Sequence, residues 1–330
     1  ARAAERRRRE RALREELDRW HETEPPRELA NELDELDYPA TAETVVATVG
    51  DHEVAEQGQS SKQIQKLSES NTGTAYLWHF VQAGDNDRKH IAPGARFEMQ
   101  LLAKPGDEEA LEEAAAAFWL LVHLGGLGTR SRRMAGAVAA DLVDAPGGVD
   151  LPSFAPEEDY DNWFQQSLKD IGVGGASVPA LPAFSILHPR HTDIHRLEGV
   201  ISREGWEDLV ETIGTKFKNH REDLEVPEKV GLGLPIVTPE ETDDITVTQQ
   251  DREVDRRASP LWLQVVRLRD GSLSPLVTCM RSQFARDGTS VKVSWEGKSE
   301  PVDDPYRMLG TFVRDDRFDS VSLLPADGNS

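Results

Sequence analysis

Two periods of apolar and polar positions alternate along this chain, and the switches between them mark its elements. Alternation of period two predicts strands over 43–49, 75–82, 96–104 and 290–295. In the second of these Tyr76, Trp78 and Phe80 share a face. In the third, Phe97, Met99 and Leu101 oppose Arg96, Glu98 and Gln100, and in the fourth Val291, Val293 and Trp295 line up. Further strands are predicted over 134–143, 183–187, 261–269, 275–280 and 320–324, with Asp270-Gly271 as a hairpin turn. A period near 3.6 predicts helices. The clearest starts at Asp107 as N-cap, followed by Glu108 and Glu109, where the macrodipole favours anions. Its apolar face is Leu111, Ala114, Ala115, Phe118, Leu121 and Val122, and Gly125 or Gly126 ends it. A second helix, 205–221, turns Trp206, Leu209, Val210, Ile213 and Phe217 inward, and 160–171 and 303–313 complete the set.

Breakers separate these elements. Segments 51–71 and 240–251 read as irregular, 84–90 and Ala92-Pro93-Gly94 as turns, and 144–148 with 152–156 as a linker region. Residues 1–36 mix Ala, Arg, Glu and Leu, the pattern of a solvated helix laced by i,i+4 charge pairs, interrupted at Pro25-Pro26. Strand, helix, glycine-rich loop and strand, in that order, fit one half of a ferredoxin-like sandwich, and the second half of the chain repeats the βα content.

Composition adds limits. A chain of 330 residues can bury a sizeable core and has room for two domains. No apolar run reaches membrane-spanning length and no apolar signal core opens the chain, so a soluble, cytoplasmic protein is expected. The lone Cys279 excludes an intrachain disulfide and a multi-cysteine metal site. Residue 1 is Ala, which predicts a preceding segment in the natural protein. The net charge is −22, with 10 lysines against 28 arginines. An acidic, lysine-poor surface suits concentrated salt, where the Debye length falls to about 3 Å at 1 M, so a halophilic host is expected. Such a charge counts against nucleic-acid binding as a whole but leaves room for a local basic patch.

One such patch exists. Gly125-Gly126-Leu127-Gly128-Thr129-Arg130-Ser131-Arg132-Arg133 follows the clearest helix directly. Glycines let backbone bend and approach a ligand; guanidiniums match phosphate oxygens. A nucleotide P-loop is excluded, because no Lys-Ser/Thr pair is present and the helix precedes the loop instead of following it. A polyanion would meet the negative end of that helix, so binding must rest on the arginines and loop amides. The competing reading is a helix C-cap followed by a solvated basic turn.

The order of motifs resembles a known family. Pro93-Gly94-Ala95-Arg96-Phe97-Glu98, then Phe118-Trp119-Leu120-Leu121 and the glycine–arginine loop, then Gly231-Leu232-Gly233-Leu234-Pro235 and Arg256-Arg257-Ala258-Ser259-Pro260-Leu261, are similar to motifs of the RAMP superfamily of CRISPR proteins. More narrowly, they are similar to those of the two-RAMP-domain subunit one of the type III-B Cmr effector complex, over roughly residues 70–285. The resemblance implies an α+β fold of tandem ferredoxin-like (RAMP/RRM-like) domains, over 41–150 and 151–330, after a charged helical segment over 1–40. That segment is a departure, since the family opens with a strand and a tryptophan- and arginine-rich stretch. The resemblance further implies a non-catalytic RNA-binding subunit of an antiviral ribonucleoprotein. Its partners are then guide RNA, target RNA and other RAMP subunits of the Cmr complex, with no cofactor and no membrane. The implied RNA contacts are Gly125, Gly126, Gly128, Thr129, Arg130, Ser131, Arg132 and Arg133. Arg257 serves either a second phosphate or a structural brace.

Other residues keep alternatives open. Tyr76, Trp78 and Trp119 are candidates to stack bases, although aromatics at these spacings also build cores, the reading taken for Trp119. His123, at the end of the helix, is the general acid or base of the alternative, a RAMP endoribonuclease, which His123→Ala would silence. His188, His191 and His195 have the spacing of a metal cluster, with Asp193 between them, and support a metal-dependent hydrolase; a histidine-rich surface loop is the other reading.

Overall fold

A computed structural model of the chain describes residues 45–53, 72–82, 95–103, 107–142, 151–173, 181–197, 205–234, 245–249, 252–254, 257–284, 291–302, 304–314 and 320–324. The helix expected over 1–36, the turns expected over 84–94 and the linker at 144–148 lie outside them. The chain divides into two compact units, Ala1–His52 with Phe97–Ala114, and Glu53–Arg96 with Ala115–Ser330.

In the first unit, β1 (Val45–Glu53) and β2 (Arg96–Ala103) pair in a two-stranded sheet. Along β2 the half-buried positions are Met99, Leu101 and Ala103, while Phe97 is exposed, so the expected alternation holds with its apolar end shifted by two residues. The helix begun by Asp107, α2 (Glu108–Leu124), carries its first turns here, where Leu111 N–H donates to Asp107 O (3.4 Å).

The second unit is built on a four-stranded antiparallel sheet of β3 (Thr192–Leu197), β6 (Leu261–Arg267), β7 (Leu273–Met280) and β10 (Ser320–Ser322). Their order is β10-β3-β7-β6. Helix α4 (Trp206–Glu222) connects β3 to β6 and helix α5 (Arg307–Arg314) connects β7 to β10. This is an α+β arrangement compatible with the ferredoxin-like split βαβ pattern. Successive side chains on β6 point to opposite faces. Leu261 and Leu263 meet Leu209, Ile213 and Phe217 of α4, while Val266 joins Trp119 of α2 and Phe164 of α3 (Tyr160–Asp170). Helices therefore cover both faces. Two excursions, one before β6 and one after β7, form a second antiparallel sheet of β4 (Thr246–Gln249), β5 (Arg252–Glu253), β8 (Val291–Trp295) and β9 (Lys298–Val302), in the order β5-β4-β8-β9. Val230, Val247, Val291 and Val293 fill its core.

Five expectations are corrected. Residues 75–82 are not a strand but part of helix α1 (Thr72–Gln82). Thr74, Leu77 and Trp78 are buried at helical spacing. Contact with α4 decides the matter, because Gly73 and Gly214 let the two backbones meet: a Cβ on Gly214 would lie 2.4 Å from Gly73 O. The Glu211 carboxylate accepts from the N–H groups of Gly73 (2.9 Å) and Thr74 (2.8 Å), which satisfies the first turn of α1. Residues 134–142 hold no strand either, since Met134 (φ 64°) and Gly136 (φ 70°) leave the extended region. The strand expected at 183–187 begins at Thr192 instead; over the earlier stretch, backbone carbonyls are taken by side chains and by the segment after β7, as in Thr192 Oγ1 to Ile186 O (2.7 Å) and Gln283 N–H to Pro182 O (2.7 Å). The segment 240–251 contains β4. The inward face of α2 is also rotated from expectation, because Ala115, Trp119 and Val122 are buried while Leu111, Phe118 and Leu121 are half-buried.

Candidate nucleic-acid interface

Gly125 closes α2, its N–H donating to Leu121 O (3.0 Å), and its own carbonyl accepts from the Gln264 side chain of β6. From there the chain makes a tight bend. Gly128 and Arg130 have φ of 85° and 67°, and Leu127 N–H donates across the bend to Gly136 O (2.9 Å). Gly136 is the position the bend cannot do without, because a Cβ there would stand 1.8 Å from Leu127 O. The returning limb pairs with the free edge of β6: Leu263 N–H donates to Arg132 O (3.1 Å) and Met134 N–H to Leu263 O (2.8 Å). Thr129 is exposed, and Ser131 is half-buried with its Cβ facing Gly126.

The three arginines of the bend differ in role. Arg133 points inward. Its Nη1 donates to Leu261 O (2.8 Å) and Arg132 O (2.9 Å), and its guanidinium lies 5.0 Å from the centre of the Phe217 ring. Burial and the neighbouring cations Arg130, Arg221 and Arg132 lower its pKa to about 10, against a raising effect of Tyr76. Arg133 therefore stays charged at neutral pH. Arg132 is half-buried. It donates one hydrogen bond, to Ser259 O (3.0 Å), and lies over the Trp262 ring, 4.5 Å from its centre. Arg130, in the left-handed region, is half-buried too. Burial lowers the pKa of both from the ordinary guanidinium value. Arg221, at the end of α4, joins the group and donates to Tyr76 OH (2.9 Å). Four guanidiniums thus crowd together in a chain of net charge −22, and Arg132 and Arg133 are held by backbone carbonyls and aromatic rings.

The two later motifs arrive at the same place. Gly233 (φ 111°) leads into a bridge in which Leu234 N–H donates to Arg257 O (2.9 Å), and a Cβ on Gly233 would crowd Ser259 N at 2.9 Å. Segment 257–261 then supplies the carbonyls that hold Arg132 and Arg133. Arg257 acts as a brace: it donates to Gln283 O, Phe284 O and Tyr306 OH, and its guanidinium lies over the Phe284 ring, 4.2 Å from the ring centre. Pro235 and Arg256 lie outside the described residues.

Comparison with known proteins fits this convergence. The chain is similar to the protein named CRISPR system Cmr subunit Cmr1-1 of Pyrococcus furiosus, with 24% identity over 233 residues, 67% of this chain and 64% of that protein. The chain spans less than two thirds of the length of that relative. No family model matches it, and no solved structure does.

Away from the bend the Cmr-like chain offers less chemistry. His123 is 5% exposed and packed among Trp119, Trp163 and Phe164, with ring centres 4.4–6.5 Å apart. Burial, helped by the Arg267 charge, lowers its pKa to about 3, so the imidazole is a neutral core group at physiological pH. His188 and His191 face each other in a turn with ring centres 5.6 Å apart, and His195 stands on β3. Among the described residues no group of three or more His, Cys, Asp or Glu is placed to hold a metal ion. Trp119 is wholly buried and Trp78 nearly so, its indole N–H donating to Arg133 O (2.9 Å), so both are core. Among the described residues no helix is long and apolar enough to cross a membrane. Sequence reasoning missed Arg221, Gly136 and Trp262. The first reads as a favourable charge at a helix C-terminus, the second as one glycine among 25, and the third as a strand residue. Their roles appear only when distant segments meet.

Proposed function

We propose that this chain is a non-catalytic RNA-binding subunit of a Cmr-type (type III-B) CRISPR ribonucleoprotein acting in antiviral defence. The observation that carries the reading is the knot of guanidiniums at the glycine bend. Arg133 is the fixed centre with Arg130 and Arg221 beside it, and among the described residues Arg132 is held by one hydrogen bond to Ser259 O out of its five N–H donors. Such a cluster suits the oxygens of a ribose–phosphate strand. Phosphate contacts position a strand without reading it, so specificity is left to pairing between guide and target RNA. Arg133 and Arg257 build the site and do not touch RNA; the glycines and Thr129 shape its rim. The partners are guide RNA, target RNA and other Cmr subunits, a reading supported by the name of the relative. The order β10-β3-β7-β6 supports a RAMP-type ferredoxin-like domain over 192–324. Buried, neutral His123 supports a role without catalysis.

The test is purification of the tagged chain from its host, with sequencing of bound RNA and identification of bound proteins. Short guide-sized RNA and RAMP siblings are expected, and the double variant R130A/R132A should retain at least tenfold less RNA. Purification as a lone, RNA-free protein would overturn the proposal.

A further inference from the structure

Trp262 stands apart from the other tryptophans of the second unit. Trp78, Trp119 and Trp163 are buried in hydrophobic clusters, and Trp206 and Trp295 pack against clusters from their margins. Trp262 belongs to none of the clusters and is half-buried. It lies near the start of the edge strand β6, paired to Thr278, on the same strand that binds the returning limb of the glycine bend. Its recorded partner is the guanidinium of Arg132, which lies over the ring, 4.5 Å from the ring centre. Among the described residues its ring is therefore set against a guanidinium and not within an apolar cluster.

Resting on the RNA-binding reading above, we propose that Trp262 and Arg132 together form a stacking platform for one unpaired nucleobase of single-stranded RNA. The indole and the guanidinium are both planar and the guanidinium already lies over the ring, so a base added to the pair loses little conformational freedom on binding. Base-on-aromatic stacking tolerates any base, because every base has a π-face. The Ser259 carbonyl fixes Arg132 through one donor and leaves its remaining N–H groups for the adjoining phosphate. The site therefore takes an unpaired nucleotide, base on the platform and phosphate on the arginines. Duplex RNA, whose bases are paired and stacked on each other, has no base to offer it.

Binding of the full chain to a short oligouridylate, and to an abasic ribose-phosphate of the same length, tests this. Trp262→Leu is expected to weaken oligouridylate binding roughly tenfold and to leave abasic binding unchanged. Trp262→Phe, which keeps an aromatic face, should recover most of the loss. Thermal unfolding of each variant, matched to wild type, verifies the fold. Equal oligouridylate affinity for wild type and Trp262→Leu, with Arg132→Ala still weakening both ligands, overturns the platform and leaves the RNA-binding reading standing. Equal loss of both ligands in Trp262→Leu makes the tryptophan a prop for Arg132 and overturns the platform as well. Failure of wild type to hold either ligand, alone or in the assembled complex, overturns both proposals.

Discussion

At the level of single residues, the glycine bend divides its cations by burial. Arg133 donates to two main-chain carbonyls from a desolvated position. Arg133→Met removes both of those bonds, leaving the Arg132 carbonyl with Leu263 N–H (3.1 Å) and the Leu261 carbonyl with the longer Ser259 hydroxyl contact (3.4 Å). A loss of about 2–4 kcal/mol is expected in urea unfolding. Arg132→Ala, which removes one bond from a half-buried group, should cost about 1 kcal/mol and act instead on RNA retention. Neighbouring arginines thus fail in different assays. His123 yields a second residue-scale expectation. Its pKa is near 3 in the folded chain against 6.5 in the ordinary imidazole, so the unfolded chain binds the extra proton between these values. Its stabilising effect is complete above about pH 6.5 and is lost as pH falls, by about 1.4 kcal/mol per pH unit. His123→Phe keeps a ring among Trp119, Trp163 and Phe164 and removes the titration. Between about pH 7 and pH 5 its stability should decline less steeply than that of wild type. Equal slopes would show that the imidazole is not buried neutral. Residue types and their cluster were legible in the sequence. Their division of labour was not, because it depends on which carbonyl each guanidinium reaches across more than a hundred residues of chain.

At the level of elements, legibility followed how far each signal was local. Helices α2, α3 and α4 and the hairpin β6–β7 carry caps, apolar faces and a turn dipeptide within their own spans, and all were found. Helix α1 reads as a strand because alternate aromatics mimic period two, while what makes it a helix lies on α4, in Gly214 and Glu211. Hairpin β8–β9 turns at Glu296-Gly297, where both residues have positive φ, and that dipeptide is a weak turn signal. The glycine bend is the case with the greatest bearing on function. Its strand-like sequel, 134–142, cannot extend because Met134 and Gly136 turn left-handed, and that turn is what lays the bend on β6. Gly136→Ala meets both a disfavoured left-handed φ and Leu127 O at 1.8 Å. A loss of about 2–3 kcal/mol is expected, accompanied by reduced RNA retention although no cation has changed. If retention survives with stability lowered, the arginines do not depend on the bend for their placement.

At the level of the whole molecule, the acidic surface and the basic bend respond to salt in opposite directions. With a net charge of −22, the folded chain is destabilised by self-repulsion, which added KCl screens. Its unfolding midpoint should therefore rise with KCl, as expected of a protein from a salt-accumulating host; full stability in dilute buffer would count against that origin. RNA affinity should fall over the same range. Each phosphate neutralised on a single strand contributes about 0.7 to the slope of log affinity against log salt. If Arg130, Arg132 and Arg221 each meet one phosphate, the slope is about −2, shallow for a nucleic-acid binder. A shallow slope would suit a site in concentrated salt, where the salt-insensitive contributions, hydrogen bonding and the proposed stacking on Trp262, would remain. Arg132→Ala should reduce the slope by about 0.7, whereas Trp262→Leu should lower affinity at every KCl concentration and leave the slope as it was. Parallel losses of slope in both variants would mean that the indole acts only by holding the guanidinium in place. An affinity indifferent to KCl in wild type would remove phosphate neutralisation from the site altogether.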